Sequence, residues 1–188
     1  MFDFQTMLNG SKAVLTSPSV SVFEEHEKND LGAATIYTVI AAVINGILSA
    51  IALNMQGMGG SLVAGVIGGV IGTLISSYIY WGIVFLLGRA FQGTGEFGEL
   101  AYNFSLFTVP LSILGSILAL IPVVGGIISL VVGIYSLYLT YLAIQAGMNL
   151  PSNKALYVIL ILFAIVAVII CGIFALIAAL FTAAANMQ

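Results

Sequence analysis

At 188 residues, with 61% hydrophobic and 6% charged side chains, the chain has too little polar material for a soluble domain of ordinary composition. Four basic and seven acidic residues give a net charge of −3, which leaves nucleic-acid binding without an electrostatic basis. The one cysteine, Cys171, excludes an internal disulfide and reads as a small apolar packing residue.

The charges are confined to short stretches, and residues 31–88, 100–153 and 155–188 contain no Asp, Glu, Lys or Arg. A crossing needs roughly 20 apolar residues at about 1.5 Å each to span a core near 30 Å thick. The first two runs are therefore hairpins of two spans and the last is a single span. The sequence predicts an all-α integral membrane protein, a bundle of five transmembrane helices behind a short helical N-terminal segment. With that parity every charge lies on one face. Lys12, Lys28, Arg89 and Lys154 share it, so the excess of basic residues in cytoplasmic loops predicts the N-terminus in the cytoplasm and the C-terminus outside. For a prokaryotic protein this places it in the plasma membrane.

Residues 1–30 are the longest polar stretch and lack the ordered basic, apolar and small-residue regions of a signal peptide. Phe4, Met7, Leu8, Ser11 and Leu15 recur at helical spacing, with Asp3, Thr6, Asn9 and Lys12 elsewhere on the wheel, which predicts an interfacial helix. Ser17-Pro18 reads as an N-cap followed by proline at the first helical position, restarting a helix through Val20, Phe23 and the acids up to Asp30. His26 stands among Glu24, Glu25 and Glu27; a solvated charged helix end explains the cluster better than a metal site, so no metal or cofactor is expected.

The membrane domain, 31–182, divides into spans at 31–53, 61–88, 100–121, 123–146 and 155–182, with a short external tail at 183–188. Asn54 to Ser61, with Gly57, Gly59 and Gly60, has the glycine content of a tight outer turn. In the second span Gly65 and Gly69, and Gly68 and Gly72, are spaced by four, and Ser76 continues the second row. Such rows let another helix approach closely, either a neighbour in the same bundle or a second copy. The loop after this span contains a GxGxxG string, Gly93-Thr94-Gly95-Glu96-Phe97-Gly98. A dinucleotide site needs a strand before that string and a helix N-terminus after it; membrane helices on both flanks point instead to a tight loop at the membrane surface. Pro110 lies inside the third span, where it is expected to bend or break the helix, and Pro122 precedes the turn at Gly125-Gly126. Tyr135, Tyr138, Tyr141 and Gln145 gather towards the charged end of the fourth span, as in an interface belt or a polar crevice. Leu150 to Lys154 breaks the chain before the fifth span.

No acid, base or histidine lies inside a predicted span, which weighs against ion-coupled transport. There is no His-Glu-x-x-His, no intramembrane pair of aspartates and no Gly-x-Ser-x-Gly, so no enzyme is expected.

The order of motifs resembles the Yip family, five-span membrane proteins named for interaction with Ypt/Rab GTPases and also called YIPF proteins. The resemblance is carried by Leu15-Thr16-Ser17-Pro18 through Phe23-Glu24, by Asp30-Leu31-Gly32, and by Leu86 through Phe97 followed by Leu100-Ala101-Tyr102 and Val109-Pro110. Tyr138-Leu139, Gln145-Ala146-Gly147-Met148 and Ser152-Asn153-Lys154-Ala155 complete it. It implies a five-helix domain, trafficking roles in eukaryotic relatives, and a small GTPase as partner by family analogy only. Those relatives enter the first span with Asp-Leu-Tyr-Gly-Pro, where this chain has Asp30-Leu31-Gly32-Ala33-Ala34. The compact form is similar to the bacterial and archaeal branch, for which the resemblance implies a fold and no agreed activity.

Two functions follow as expectations. The first is a non-enzymatic scaffold or adaptor that organises membrane-protein partners or shapes the bilayer, with lipid, other membrane proteins or a second copy as partners. Its contact candidates are Glu24, Glu25, Glu27, Glu96 and Glu99, whose charge suits basic patches on proteins better than anionic headgroups. Its helix-packing candidates are Gly65, Gly68, Gly69, Gly72 and Pro110. The alternative is a passive channel or lipid-handling transporter with a polar path through Asn45, Tyr78, Tyr80, Tyr102, Asn103 and Gln145.

Overall fold

The computed structural model describes residues 2–55, 61–121 and 124–185. The predicted turn glycines Gly57, Gly59 and Gly60, Pro122 and the end of the external tail lie outside the described residues. The architecture among those described is all-helical, with seven helices: α1 (Phe4–Thr16), α2 (Val20–His26), α3 (Leu31–Met55), α4 (Leu62–Ala90), α5 (Phe97–Leu118), α6 (Val124–Met148) and α7 (Ser152–Ala185). The last five are each long and apolar enough to cross a membrane.

Local chemistry sets the element ends. Asp3 caps α1, accepting the Gln5 backbone N–H at 3.0 Å. Pro18 disfavours helical backbone at Ser17, which becomes the C-cap of α1 rather than the predicted N-cap of the next helix. The restart comes two residues later: Ser19 caps α2 through its hydroxyl and the Val22 N–H at 3.2 Å. Helix α2 also stops at His26, short of the predicted Asp30, because Glu27 turns to extended backbone. Residues 27–30 cross to α3, where the Asp30 carboxylate accepts the Ala33 N–H at 2.8 Å. Helix α5 runs unbroken through Pro110. Thr108 and Ser112 on either side return their hydroxyls to the carbonyls of Phe104 and Val109, both at 2.8 Å.

Helix α5 is the axis of the bundle. Leu100 to Phe107 are all buried, a run possible only when a helix is covered on every side. Helices α3 and α6 flank it, α4 packs mainly on α3, and α7 sits at the edge against α4 and α6. The N-terminal helices are part of the same body: α1 lies on α5 and α2 on α6. Met7, Val14 and Phe23 are buried there, Phe23 meets Phe107 edge-on at 6.2 Å, and the Tyr135 hydroxyl donates to the Leu15 carbonyl at 2.8 Å. Tyr135, expected in an interface belt or a polar crevice, is thus a tie between α6 and the end of α1. The starts of α3, α5 and α7 and the ends of α4 and α6 come together at one charged end.

Candidate functional site

The charged end is built around a joint between two connections, α4 to α5 and α6 to α7. The backbone N–H groups of Thr94 and Gly95 donate to the Met148 carbonyl at 3.0 and 3.4 Å, and Gly93 donates to Gly88 at 2.8 Å. Glycine is required sterically here. A Cβ at Gly95 would collide with the Gly147 carbonyl, and one at Gly147 would stand 2.9 Å from Leu100 Cα. Gln92 and Asn149 turn the chain with φ of 69° and 51°. The GxGxxG string is therefore a backbone-to-backbone joint between helices.

Two of the four cations secure it. Arg89 donates to the Gly93 carbonyl at 3.3 Å and lies 5.0 Å over the Phe85 ring, while Lys154 Nζ donates to Gln92 Oε1 at 2.8 Å. An aromatic group of Tyr78, Trp81, Phe85 and Phe97 packs α4 against the start of α5.

The acids sit beside this joint. Glu96 and Glu99 form a capping box on α5, with the Glu99 carboxylate accepting the Glu96 N–H at 2.8 Å. Asn29 donates to the Glu96 carboxylate and fills the place that a side chain at Gly98 would need. Glu27 accepts from Asn103 Nδ2 at 2.8 Å, tying the 27–30 crossing to α5. Burial pushes the Glu27 carboxyl above its ordinary value; the Asn103 hydrogen bond partly offsets this, and Glu99 and Glu24 add to the rise. Glu24 and Glu25 are exposed on α2. Glu24, Glu27 and Glu99 thus come together, with Glu96 held at the same helix start. Sequence reasoning had no signal for the Glu27–Asn103 and Asn29–Glu96 pairs, which join residues 76 and 67 positions apart.

The Yip1 domain profile matches residues 12–174, from within α1 to well into α7. The chain belongs to the Yip1 domain family. Comparison with curated proteins and with solved structures finds no significant match. The Yip1 region takes in the whole joint and the acids around it from Glu24 to Glu99.

Within this Yip1 domain the glycine rows divide. A Cβ added at Gly69 would stand 3.8 Å from Gly46 Cα of α3, and one added at Gly46 would stand 3.1 Å from Val66 Cα, so this is the close approach of α3 and α4. A Cβ at Gly65, Gly68 or Gly72 would meet open space. Gly65 borders a crevice of about 230 Å³ with Gly46, Ser49 and Leu53 of α3, whereas Gly68 and Gly72 belong to the outer surface of the bundle, beside exposed Ile67, Ile71 and Ile75.

The six polar residues expected to line one path are dispersed. Asn45 donates to Ser112 at 3.0 Å between α3 and α5, and Tyr78 shares a hydrogen bond of 2.6 Å with Thr35. Tyr80 borders a crevice of about 240 Å³ with Thr140 and Phe163, between α4, α6 and α7. Tyr102 faces a niche of about 20 Å³ among Asp3, Lys28 and Asp30, Asn103 faces Glu27, and Gln145 folds back to the Tyr141 carbonyl at 3.4 Å. These contacts place them on different helix pairs, and the crevice beside Tyr80 and the niche beside Tyr102 each hold one of the six.

Proposed function

We propose that this Yip1 protein is a non-enzymatic membrane scaffold or adaptor, organising membrane-protein partners through an acidic face at its charged end. The reading is supported above all by where the acids stand. Glu24 and Glu25 project into solvent from a helix that is itself fixed to the bundle by Phe23. A basic segment approaching them meets a preformed surface and orders little of the protein on binding, which favours association. The open row of Gly65, Gly68 and Gly72 supplies a second contact, within the membrane, for a partner helix or a second copy. We place the charged end in the cytoplasm, following the four basic residues gathered there; a small GTPase is one partner class suggested by eukaryotic Yip relatives.

The test is crosslinking of the tagged protein in its native membrane, with partners identified by mass spectrometry, beside a Glu24→Ala/Glu25→Ala variant. Partners captured by the parent and lost in the variant support the adaptor. An unchanged partner set removes the acidic face from the proposal. The crevice beside Tyr80 and Thr140 favours lipid handling as a second reading, since its other lining is apolar. Transfer of labelled lipid between vesicles by the purified protein checks it, and no transfer above protein-free vesicles eliminates it.

A further inference from the structure

Asn103 is fully buried (0% exposed), and only half of its amide is satisfied. Its Nδ2 donates to Glu27 at 2.8 Å, while its Oδ1 has no hydrogen-bond partner. A buried carbonyl oxygen without a donor is costly, and native structures rarely leave one unexplained. The group beside it is a carboxyl, which supplies a donor by binding a proton. A protonated carboxyl and a primary amide match in a cyclic pair: the acid O–H donates to the amide oxygen while the amide N–H donates to the other carboxyl oxygen. One arm of that pair is present, and the acceptor of the second is free.

We propose that Glu27 and Asn103 form a proton-operated latch that fastens the N-terminal segment to the central helix α5. A proton taken from solvent onto the free Glu27 oxygen is donated to Asn103 Oδ1, and the existing N–H bond remains. The buried amide is then fully paired, and the repulsion of Glu27 by its neighbours is removed. Those neighbours are Glu24 from α2 and Glu99 from α5. The other charged or titratable groups of the segment are Asp3, Lys12, Glu25, His26, Lys28 and Asp30, and α6 carries no charged residue. The strap has much to release: Glu27 begins the crossing that holds α2 on α6 and carries Asn29 to Glu96 and Asp30 to the start of α3. Deprotonation leaves the single amide arm against the two neighbouring carboxylates.

The sign follows from the carboxyl titrating higher when docked than when free. Docking is tightest below the ordinary value of 4.5 and weakens as pH rises through the docked value. Glu27→Gln reproduces the protonated partner, since a second amide also offers one donor and one acceptor.

The test is amide hydrogen exchange of residues 20–30 in the full-length protein in lipid nanodiscs, as the ratio of wild type to Glu27→Gln at each pH. The pH dependence of intrinsic exchange chemistry cancels in that ratio. The ratio is expected to be near one at pH 4 and to rise towards pH 8, by one tenfold step for each pH unit by which docking raises the carboxyl. A flat ratio overturns the latch. In an Asn103→Leu background Glu27→Gln should lose most of its protective effect. Equal protection there means charge removal alone is responsible, and overturns the pairing. Should Asn103→Leu fail to fold, infrared spectroscopy decides. The acid carbonyl band that titrates and is absent in Glu27→Gln must lie at a hydrogen-bonded frequency; a free-acid frequency, or no such band, rejects the proposal.

Discussion

The two halves of the bundle are built on different principles. Helices α1, α3, α4 and α6 close around α5, α2 adds Phe23 against Phe107, and half of the most apolar stretch of α5 is buried (50%). The corresponding figures are 11% for α4 and 6% for α7, whose far ends expose Ile and Phe to the membrane. Glycine marks the contrast. Gly93, Gly95, Gly98 and Gly147 at the charged end have no room for a methyl group, while Gly68, Gly72, Gly133 and Gly172 face open space; Gly125 at the far turn is the exception, since its Cβ would collide with the Leu118 carbonyl. In lipid there is no water exclusion to drive helices together, so packing and polar contacts decide where they associate. The charged end has both, and the far half is left to lipid or to another helix.

The largest effect that can break this comparison is Gly95→Ala. The added methyl meets the Gly147 carbonyl, and the two connections must separate, at a cost of about 3 kcal/mol. We expect loss of the monodisperse protein in mild detergent, or a large fall in its thermal midpoint. Gly133→Ala, the same change in the far half, should be neutral or stabilising by about 0.5 kcal/mol. Similar midpoints for both variants would erase the distinction between halves.

Next in size is the capping box. Replacing Glu96 and Glu99 together by alanine removes two caps from the start of α5 and the partner of Asn29, with an expected loss of about 2 kcal/mol. Urea or thermal unfolding in detergent checks this. Retained stability with lost crosslinked partners would instead give both residues a purely recognitional role, which is what their place in the sequence had suggested.

Much of this was legible in the chain. Charge-free runs fix the number of spans and bring all charged stretches to one end, because span length is set by bilayer thickness and a buried charge is expensive. The helix caps at Asp3 and Glu96 are local and can be read within four residues. Contacts between distant residues cannot. Tyr135 reads as an interface tyrosine until α1 is seen beside it, and Asn103 reads as a polar residue in a span until Glu27 is seen against it. The N-terminal segment was harder still, because its alternation of apolar and polar positions suits a lipid surface and a helical bundle equally; Gly10, with Leu106 3.1 Å from where its Cβ would be, suits the bundle.

Smaller again is the expected effect of Gly68→Leu/Gly72→Leu on the protomer. Both positions are open, and leucine has the better helix propensity, so the stability of the monomer should hold or rise by about 1 kcal/mol, read from its thermal midpoint. What should change is assembly. Loss of a dimer or of crosslinked membrane partners, with the monomer intact, would give the far half its function as a docking face. A destabilised monomer would mean that α4 packs within its own bundle more closely than its open surface implies.

The smallest effect separates two carboxylates of the N-terminal segment. Asp3 is held below its ordinary value of 3.8 by the Thr6 hydroxyl and the backbone N–H groups of Gln5 and Thr6 that it caps. Its contribution to α1 is therefore present above 3.8 and lost as pH falls through the lower, folded value. Glu27 behaves in the opposite way, helping below 4.5 and failing as pH rises. One segment thus has an acid-sensitive end at Asp3 and a base-sensitive end at Glu27, and should be docked most firmly near pH 4. Asp3→Asn keeps a good cap that does not titrate. Hydrogen exchange of α1 in wild type relative to Asp3→Asn should be flat above pH 4 and rise only below it. A rise of α1 exchange at neutral pH in wild type relative to Glu27→Gln would show that α1 is released together with the crossing at Glu27, as one cooperative unit, and the N-terminal segment would then open as a whole rather than end by end.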